Sequence, residues 1–352
     1  MYGKKKQIMQ HLKGIFKIAL MAMVVWSCSK SPATTEIHGE AQGTTYTIIV
    51  SDEDVVIKKE AIDSILNQFD LYLSLYRKDS YISRVNDNDS YQFVDSFGYF
   101  SECYFIAELL HEQSNGLVDP TLYPILNLWK LYSKEGLTKP DMDGERERLL
   151  PFVGFNNSDN YQVKFNRDKV NVEKFSPEVK FDFNAIAQGY SADVLAMYLE
   201  SKGAQNYYVE IGGELVVKGK NPDGKKWRIG IDKPEDSGAD DRESDLIVSV
   251  SNMGIATSGS YRNFVEVNGQ RVAHIFNPKT GEPQPSEIVS VTVFAPTAAM
   301  ADGYATYFMM LPLTEIKAFY NDNPDVSAIV IYDKKGKWHH ESIGNARFVI
   351  NE

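Results

Sequence analysis

Tyr207-Tyr208-Val209-Glu210-Ile211-Gly212-Gly213-Glu214-Leu215-Val216-Val217-Lys218 holds two β-rich runs around a pair of glycines. Runs rich in Val, Ile and Tyr read as strands, and a Gly-Gly between them suits a turn. Upstream, Ile186 to Ser201 reads as a helix closed by Gly203. Downstream, Trp227 to Ile231, Ile247 to Ser251, Phe264 to Val267, Val272 to Phe276 and Ile288 to Phe294 read as further strands. Val267-Asn268-Gly269-Gln270 is a hairpin signal. Thr297 is placed to cap a helix running to Met310. Strands and helices in mixed blocks with hairpin signals indicate an α+β fold, with mainly antiparallel sheets and packed helices.

The N-terminal half fits this class. Thr44 to Val50 reads as a strand, and Glu60 to Tyr76 has apolar residues at helical spacing, from Ile62 through Ile65, Leu66, Phe69 and Leu73. Phe97 to Ser114 reads as a second helix, stopped by Asn115-Gly116. Asp119-Pro120 is expected to start a third, with Asp as N-cap, Pro in the first position and an apolar face at Leu122, Ile125, Leu126 and Trp129. Asp143 to Lys180 is polar with short strands such as Tyr161 to Phe165, and Lys233 to Asp245 is a charged loop.

The chain has 352 residues, 43% of them hydrophobic, enough for a sizeable core. Its formal charge of −11 makes it a poor binder of nucleic-acid backbones. If it binds phosphates, a metal or a set of backbone amides must do so locally. The N-terminus carries Lys4, Lys5, Lys6, Lys13 and Lys17, then an apolar run from Ile18 to Trp26. That run is shorter than the roughly 20 residues a bilayer span needs, which is secretory signal geometry. It ends in Ser27-Cys28, a lipobox-like junction at which Cys28 would be lipidated, although Trp26 is bulky for its place. The expected organisation is a lipoprotein signal peptide over 1–27, a tether over 28–38 and a catalytic domain over 39–352. The expected location is the periplasmic face of a membrane, held by the lipid anchor. Loss of five lysines and no acid on cleavage takes the charge from −11 to −16. Cys103, in an apolar helical stretch, reads as a buried inert thiol.

Three segments are rich in small and polar residues where apolar ones would be expected. Asp182-Phe183-Asn184-Ala185-Ile186-Ala187-Gln188-Gly189-Tyr190 opens a helix, so its free amides offer an anion site, and Gly189 lets a neighbour approach closely. Taken alone, Gly212-Gly213 reads first as a plain turn and Ala256-Thr257-Ser258-Gly259-Ser260 as a loop. Asp302 stands among Ala, Met, Tyr and Phe, where a carboxylate is costly unless paired or metal-bound. Thr306 is its neighbour one turn on, so the two offer hard oxygen ligands of the kind Mg²⁺ takes; a loop that satisfies Asp302 is the alternative. His274 ends a strand before Asn277-Pro278-Lys279-Thr280-Gly281 and is either structural or a general base. There is no Gly-x-x-x-x-Gly-Lys-[Ser/Thr] phosphate loop, Gly-x-Gly-x-x-Gly or Gly-x-Ser-x-Gly.

Taken in order, these segments resemble the ApbE family of flavin transferases. The matching pieces are Gly43-Thr44-Thr45-Tyr46, Ser74 to Ser80 with Ser83 to Asn86, Gly116 to Thr121 through Trp129, and Asp182 to Tyr190 with Asp193. Gly212-Gly213-Glu214, Thr257-Ser258-Gly259, His274 to Gly281 and Ala301-Asp302 with Ala305-Thr306 complete the series. The resemblance implies an ApbE-like, T-fold-related architecture. It implies Mg²⁺-dependent transfer of the FMN half of FAD onto a Thr or Ser hydroxyl of a periplasmic or membrane flavoprotein, with release of AMP. It implies Asp302, Thr306 and the Ala185 carbonyl as metal ligands, and Gln42, Tyr76, Val118, Asp119, Pro120, Asp182, Gln188 and Phe276 as FAD contacts. His274 and Asp302 are implied as catalytic. The chain departs from the family where Gln42 replaces a common Met, Gln188 a common Lys and Ser260 a common Asp. Two alternatives use the same residues: an FAD pyrophosphatase giving FMN and AMP, and a non-catalytic flavin-binding lipoprotein.

Overall fold

A computed structural model of the chain describes residues 34–135, 139–231, 246–260, 264–267, 270–273, 275–335, 337–344 and 349–351. The expected signal peptide, Cys28, His274, the charged loop 233–245 and the Asn268-Gly269 turn lie outside them.

The central sheet has eight strands: β1 Thr35–Ala41, β2 Thr44–Val50, β3 Tyr207–Ile211, β4 Glu214–Lys218, β5 Met253–Gly259, β6 Ile288–Ala295, β7 Ser327–Asp333 and β8 Trp338–Gly344. Their order in space is their order in the chain, and every neighbouring pair is antiparallel. The pair β3–β4 is the hairpin expected at Gly212-Gly213, and it sits inside the sheet rather than at an edge. The β1–β2 turn places Gln42 at φ 55° and Gly43 at φ 75°. Positive φ at both central residues is the turn twist that matches two right-twisted strands.

Eight helices accompany the sheet among the described residues: α1 Lys59–Leu73, α2 Tyr81–Asp87, α3 Tyr99–Gln113, α4 Tyr123–Glu135, α5 Lys139–Leu149, α6 Ala187–Ser201, α7 Ala298–Phe308 and α8 Leu313–Asp322. Side chains alternate across each strand, so the sheet has two faces to bury. Val209, Ile211, Ala256, Val291 and Val293 face α6 and α7. Leu215, Val217, Ile255, Phe294 and Ile329 face a three-stranded antiparallel sheet made by Trp227–Ile231, Leu246–Val250 and Val349–Asn351. A second small sheet, Ser90–Val94, Lys169–Lys174 and Tyr161–Asn166, packs with α2 and α3 to one side.

Several boundaries differ from those expected. Strand β1 begins at Thr35, inside the tether expected over 28–38. The helix expected from Asp119 begins at Tyr123, because Asp119 accepts from Thr121 N–H at 2.7 Å and closes a tight turn ahead of it. Thr257-Ser258-Gly259 is the end of β5, not a loop. Lys139–Leu149, which runs into the Asp143 to Lys180 stretch read as polar with short strands, is helical.

Candidate active site

Gln42, Tyr76, Val118, Asp119, Pro120, Asp182, Ala185, Gln188, Phe276, Asp302 and Thr306 line one cleft of about 660 Å³. That volume lies within the roughly 300–1,000 Å³ of small-molecule sites. The cleft runs between the β1–β2 turn, the start of α6, α7, the face of α4 and the end of β5. Thus the described residues singled out in the sequence come together from well-separated positions.

The close crossing of α6 and α7 organises the floor. A Cβ at Gly189 would overlap the Ala298 carbonyl, so only glycine permits this approach. Asp193 on α6 accepts from Ala298 N–H at 2.9 Å and Ala299 N–H at 2.8 Å, in the first turn of α7. Asp302 on α7 accepts in turn from Gly189 N–H at 3.1 Å, in the first turn of α6. The anion expected at the start of α6 is therefore supplied by the protein itself. Burial raises the Asp302 carboxyl well above the usual carboxylate range, opposed by the Gly189 N–H, and the nearby Asp193 charge raises it further. Burial also raises Asp193, against the two amides it accepts from.

A cation beside Asp302 would reverse this penalty. In a regular helix Gly189 N–H would bond the Ala185 carbonyl; here it goes to Asp302, and Ala185 lines the cleft. Thr306, one turn beyond Asp302, also lines the cleft. One carboxylate, one hydroxyl and one carbonyl make an all-oxygen donor set, which suits Mg²⁺. Among the described residues no group of three or more His, Cys, Asp or Glu side chains could hold a metal ion. The donor set instead resembles sites where phosphates and water complete the shell.

The other residues play unequal parts. Asp119 is spent on the fold: its carboxylate accepts from Thr121 N–H at 2.7 Å and Phe155 N–H at 3.0 Å. Asp182 N–H donates to Pro120 O at 2.7 Å, tying the two lining segments together. The Asp182 carboxyl is raised by burial and held back by Asn184 and by the charge of Lys130. Gln188 Nε2 donates to Ile211 O at 3.2 Å, fastening the Gly-Gly hairpin to α6. Ser191 Oγ–H donates to Gln42 Oε1 at 3.2 Å and, more closely, to Gln188 O at 2.7 Å. Phe276 is buried against Trp129, with ring centroids 5.3 Å apart, and Trp129 Nε1–H donates to Gly281 O at 2.9 Å. Tyr76, by contrast, is 86% exposed at the cleft mouth.

Two cleft residues were not singled out in the sequence, and Asn86 stood there only inside a matching segment with no role. Asp70 and Lys130 line the cleft from α1 and α4. Asn86 clamps Phe181, accepting its N–H at 2.7 Å and donating to its carbonyl at 2.8 Å, and so fixes the approach to Asp182. The Asn86 carbonyl in turn accepts from the buried Lys174 ammonium at 2.7 Å and from Lys180.

The model of the ApbE family matches residues 42–330. A Haemophilus influenzae protein named FAD:protein FMN transferase is 35% identical over 306 residues, covering 85% of this chain and 87% of that one. An Escherichia coli protein of the same name is 30% identical over 308 residues, covering 84% and 86%. The solved structure of flavin transferase ApbE from Vibrio cholerae superposes with a TM-score of 0.73 at 32% identity, covering 88% of this chain and 97% of that one. The apo form of the Pseudomonas stutzeri flavinyl transferase ApbE gives a TM-score of 0.73 at 29% identity, covering 88% and 94%.

Proposed function

The chain belongs to the ApbE family, and from that premise we propose that it transfers the FMN moiety of FAD onto a hydroxyl of a partner flavoprotein. The observation that carries this reading is the convergence of Asp302, Thr306 and Ala185 in one cleft of about 660 Å³. A Thr or Ser oxygen of the acceptor forms a bond to the FMN phosphorus, the pyrophosphate P–O–P bond breaks, and AMP leaves with the electron pair. The hydroxyl proton goes to a base, the role we give His274. Mg²⁺, held by Asp302, Thr306 and the Ala185 carbonyl, would supply charge neutralisation at the phosphates. The protein's own residues orient the substrate. Tyr76 offers an exposed ring at the mouth, Val118, Pro120 and the buried Phe276 form apolar wall, and Asp182 is fixed through Pro120 and Asn86.

The signal-like N-terminus supports a lipid anchor at Cys28 and a periplasmic membrane location. Among the described residues no helix is long and apolar enough to cross a membrane. Loss of membrane retention in Cys28→Ser is the expected result, and unchanged retention counts against the anchor.

The deciding experiment is incubation with FAD, Mg²⁺ and a candidate acceptor domain, followed by mass measurement of that domain. A gain equal to FMN less water is expected. Free FMN and AMP with an unmodified acceptor would indicate hydrolysis, and intact FAD would leave only binding.

A further inference from the structure

Among the described residues lining the cleft, the acidic side chains are Asp70, Asp119, Asp182, Glu214 and Asp302, and the basic one is Lys130. Helix α4 turns Tyr123, Leu126 and Lys130 toward the cleft at i, i+3, i+7 spacing. Its other side carries Ile125, Leu128 and Trp129, packed into a core of their own. The backbone under Lys130 is therefore fixed, and its side chain borders the cleft. Its charge reaches Asp182, which opens the segment ending at Gly189. Asp302 is bound at the Gly189 end of that segment, so the cleft carries Lys130 at one end of it and the oxygen donors at the other.

A dinucleotide pyrophosphate brings two negative charges into this acidic cleft, in a chain of formal charge −11. A divalent ion at Asp302 offsets charge at one end. Nothing else basic among the described lining residues serves the Asp182 end. A lysine suits the task because its ammonium is a compact charge with three rotatable donors. We propose that Lys130 binds a substrate phosphate and makes the cleft select phosphorylated flavins over uncharged riboflavin. This rests on the proposed function, since it takes FAD to be the occupant.

The test is equilibrium binding of FAD, FMN and riboflavin to the whole protein, compared with Lys130→Gln and Lys130→Arg, at low and high salt. A hydrogen bond to a charged group corresponds to about tenfold to 150-fold in affinity. Lys130→Gln is expected to weaken FAD and FMN by a factor in that range, to leave riboflavin unchanged and to flatten the salt dependence. Lys130→Arg is expected to restore most of the loss, which also excludes a folding defect. Equal weakening of riboflavin and FAD, or unchanged FAD binding in Lys130→Gln, overturns the assignment. Absence of FAD binding by the wild-type protein overturns the proposed function itself, and Lys130 loses its role with it.

Discussion

Asp193 and Asp302 cap each other's helices: Asp193, on α6, holds the first amides of α7, and Asp302, on α7, holds the Gly189 amide of α6. Each carboxylate sits at the positive end of a helix dipole, which offsets part of the cost of burying it. The exchange also locks the two helices in register, and with them the spacing of Asp302, Thr306 and Ala185.

That lock depends on Gly189. Gly189→Ala forces a Cβ into the Ala298 carbonyl, a backbone atom that cannot swing aside. The expected cost is about 1–3 kcal/mol or more, as for other overpacked sites. Thermal melting should show a drop of several degrees, and FAD affinity should fall with it. A melting temperature equal to wild type would mean that the helices can separate freely and that the close crossing is not needed.

Tyr76 makes a contrasting case. It is 86% exposed, so its removal takes away almost no packing. Tyr76→Ala should leave the melting temperature unchanged while weakening FAD about fivefold to 150-fold, the range for one aromatic stacking contact. Wild-type FAD affinity in this variant would remove Tyr76 from the binding site.

Lys174 gives a pH dependence in the alkaline range. Burial, and then the neighbouring Lys180, lower its pKa from 10.5 to about 8, while its ammonium donates to the carbonyls of Asn86 and Val179. The folded state thus releases this proton at lower pH than the unfolded chain does. Stability from this residue is greatest above pH 10.5 and is lost as pH falls toward 8. Relative to Lys174→Met, the wild-type protein should gain melting temperature as pH rises from about 8 to about 10. A difference that does not change with pH would show that the ammonium is not destabilised by burial.

Much of this was legible in the sequence, for identifiable reasons. The inner strands are covered on both faces, so β6 reads as Ile-Val-Ser-Val-Thr-Val-Phe-Ala and needs no context to be recognised. Edge strands β1 and β8 have one deeply buried side chain each, Ile37 and Ile343, and their polar sequences give no period to read. Asp302 was conspicuous because it breaks an apolar helix. Lys130 and Asp70 were not, since a charge on an amphipathic helix looks the same whether it faces solvent or a cleft. The spending of Asp119 on Thr121 and Phe155 was likewise hidden, because Phe155 is 36 residues away.

Asp302 permits the sharpest test, because two substitutions separate its two possible duties. Asp302→Asn keeps an oxygen that can accept from Gly189 N–H, so it preserves the helix crossing while removing the charge. Since burial works against that charge, the metal-free variant should melt no lower than metal-free wild type. What it should lose is the response to cation. Mg²⁺ together with FAD should raise the melting temperature of the wild-type protein, as any ligand of the folded state does, and should raise that of Asp302→Asn much less. Transfer of FMN should fall by orders of magnitude, and a chelator should reproduce the loss in wild type. Asp302→Ala removes the acceptor as well, leaving Gly189 N–H buried without its partner, so it should lose about 1–3 kcal/mol of stability in addition. The structural account makes the opposite forecast for the asparagine variant. If Asp302 only braces the start of α6, Asp302→Asn should transfer FMN at near wild-type rate per folded molecule and keep the full Mg²⁺-dependent shift. Melting curves with and without Mg²⁺, read beside transfer rates on the same preparations, decide the matter: an intact shift with intact turnover removes Asp302 from the metal site.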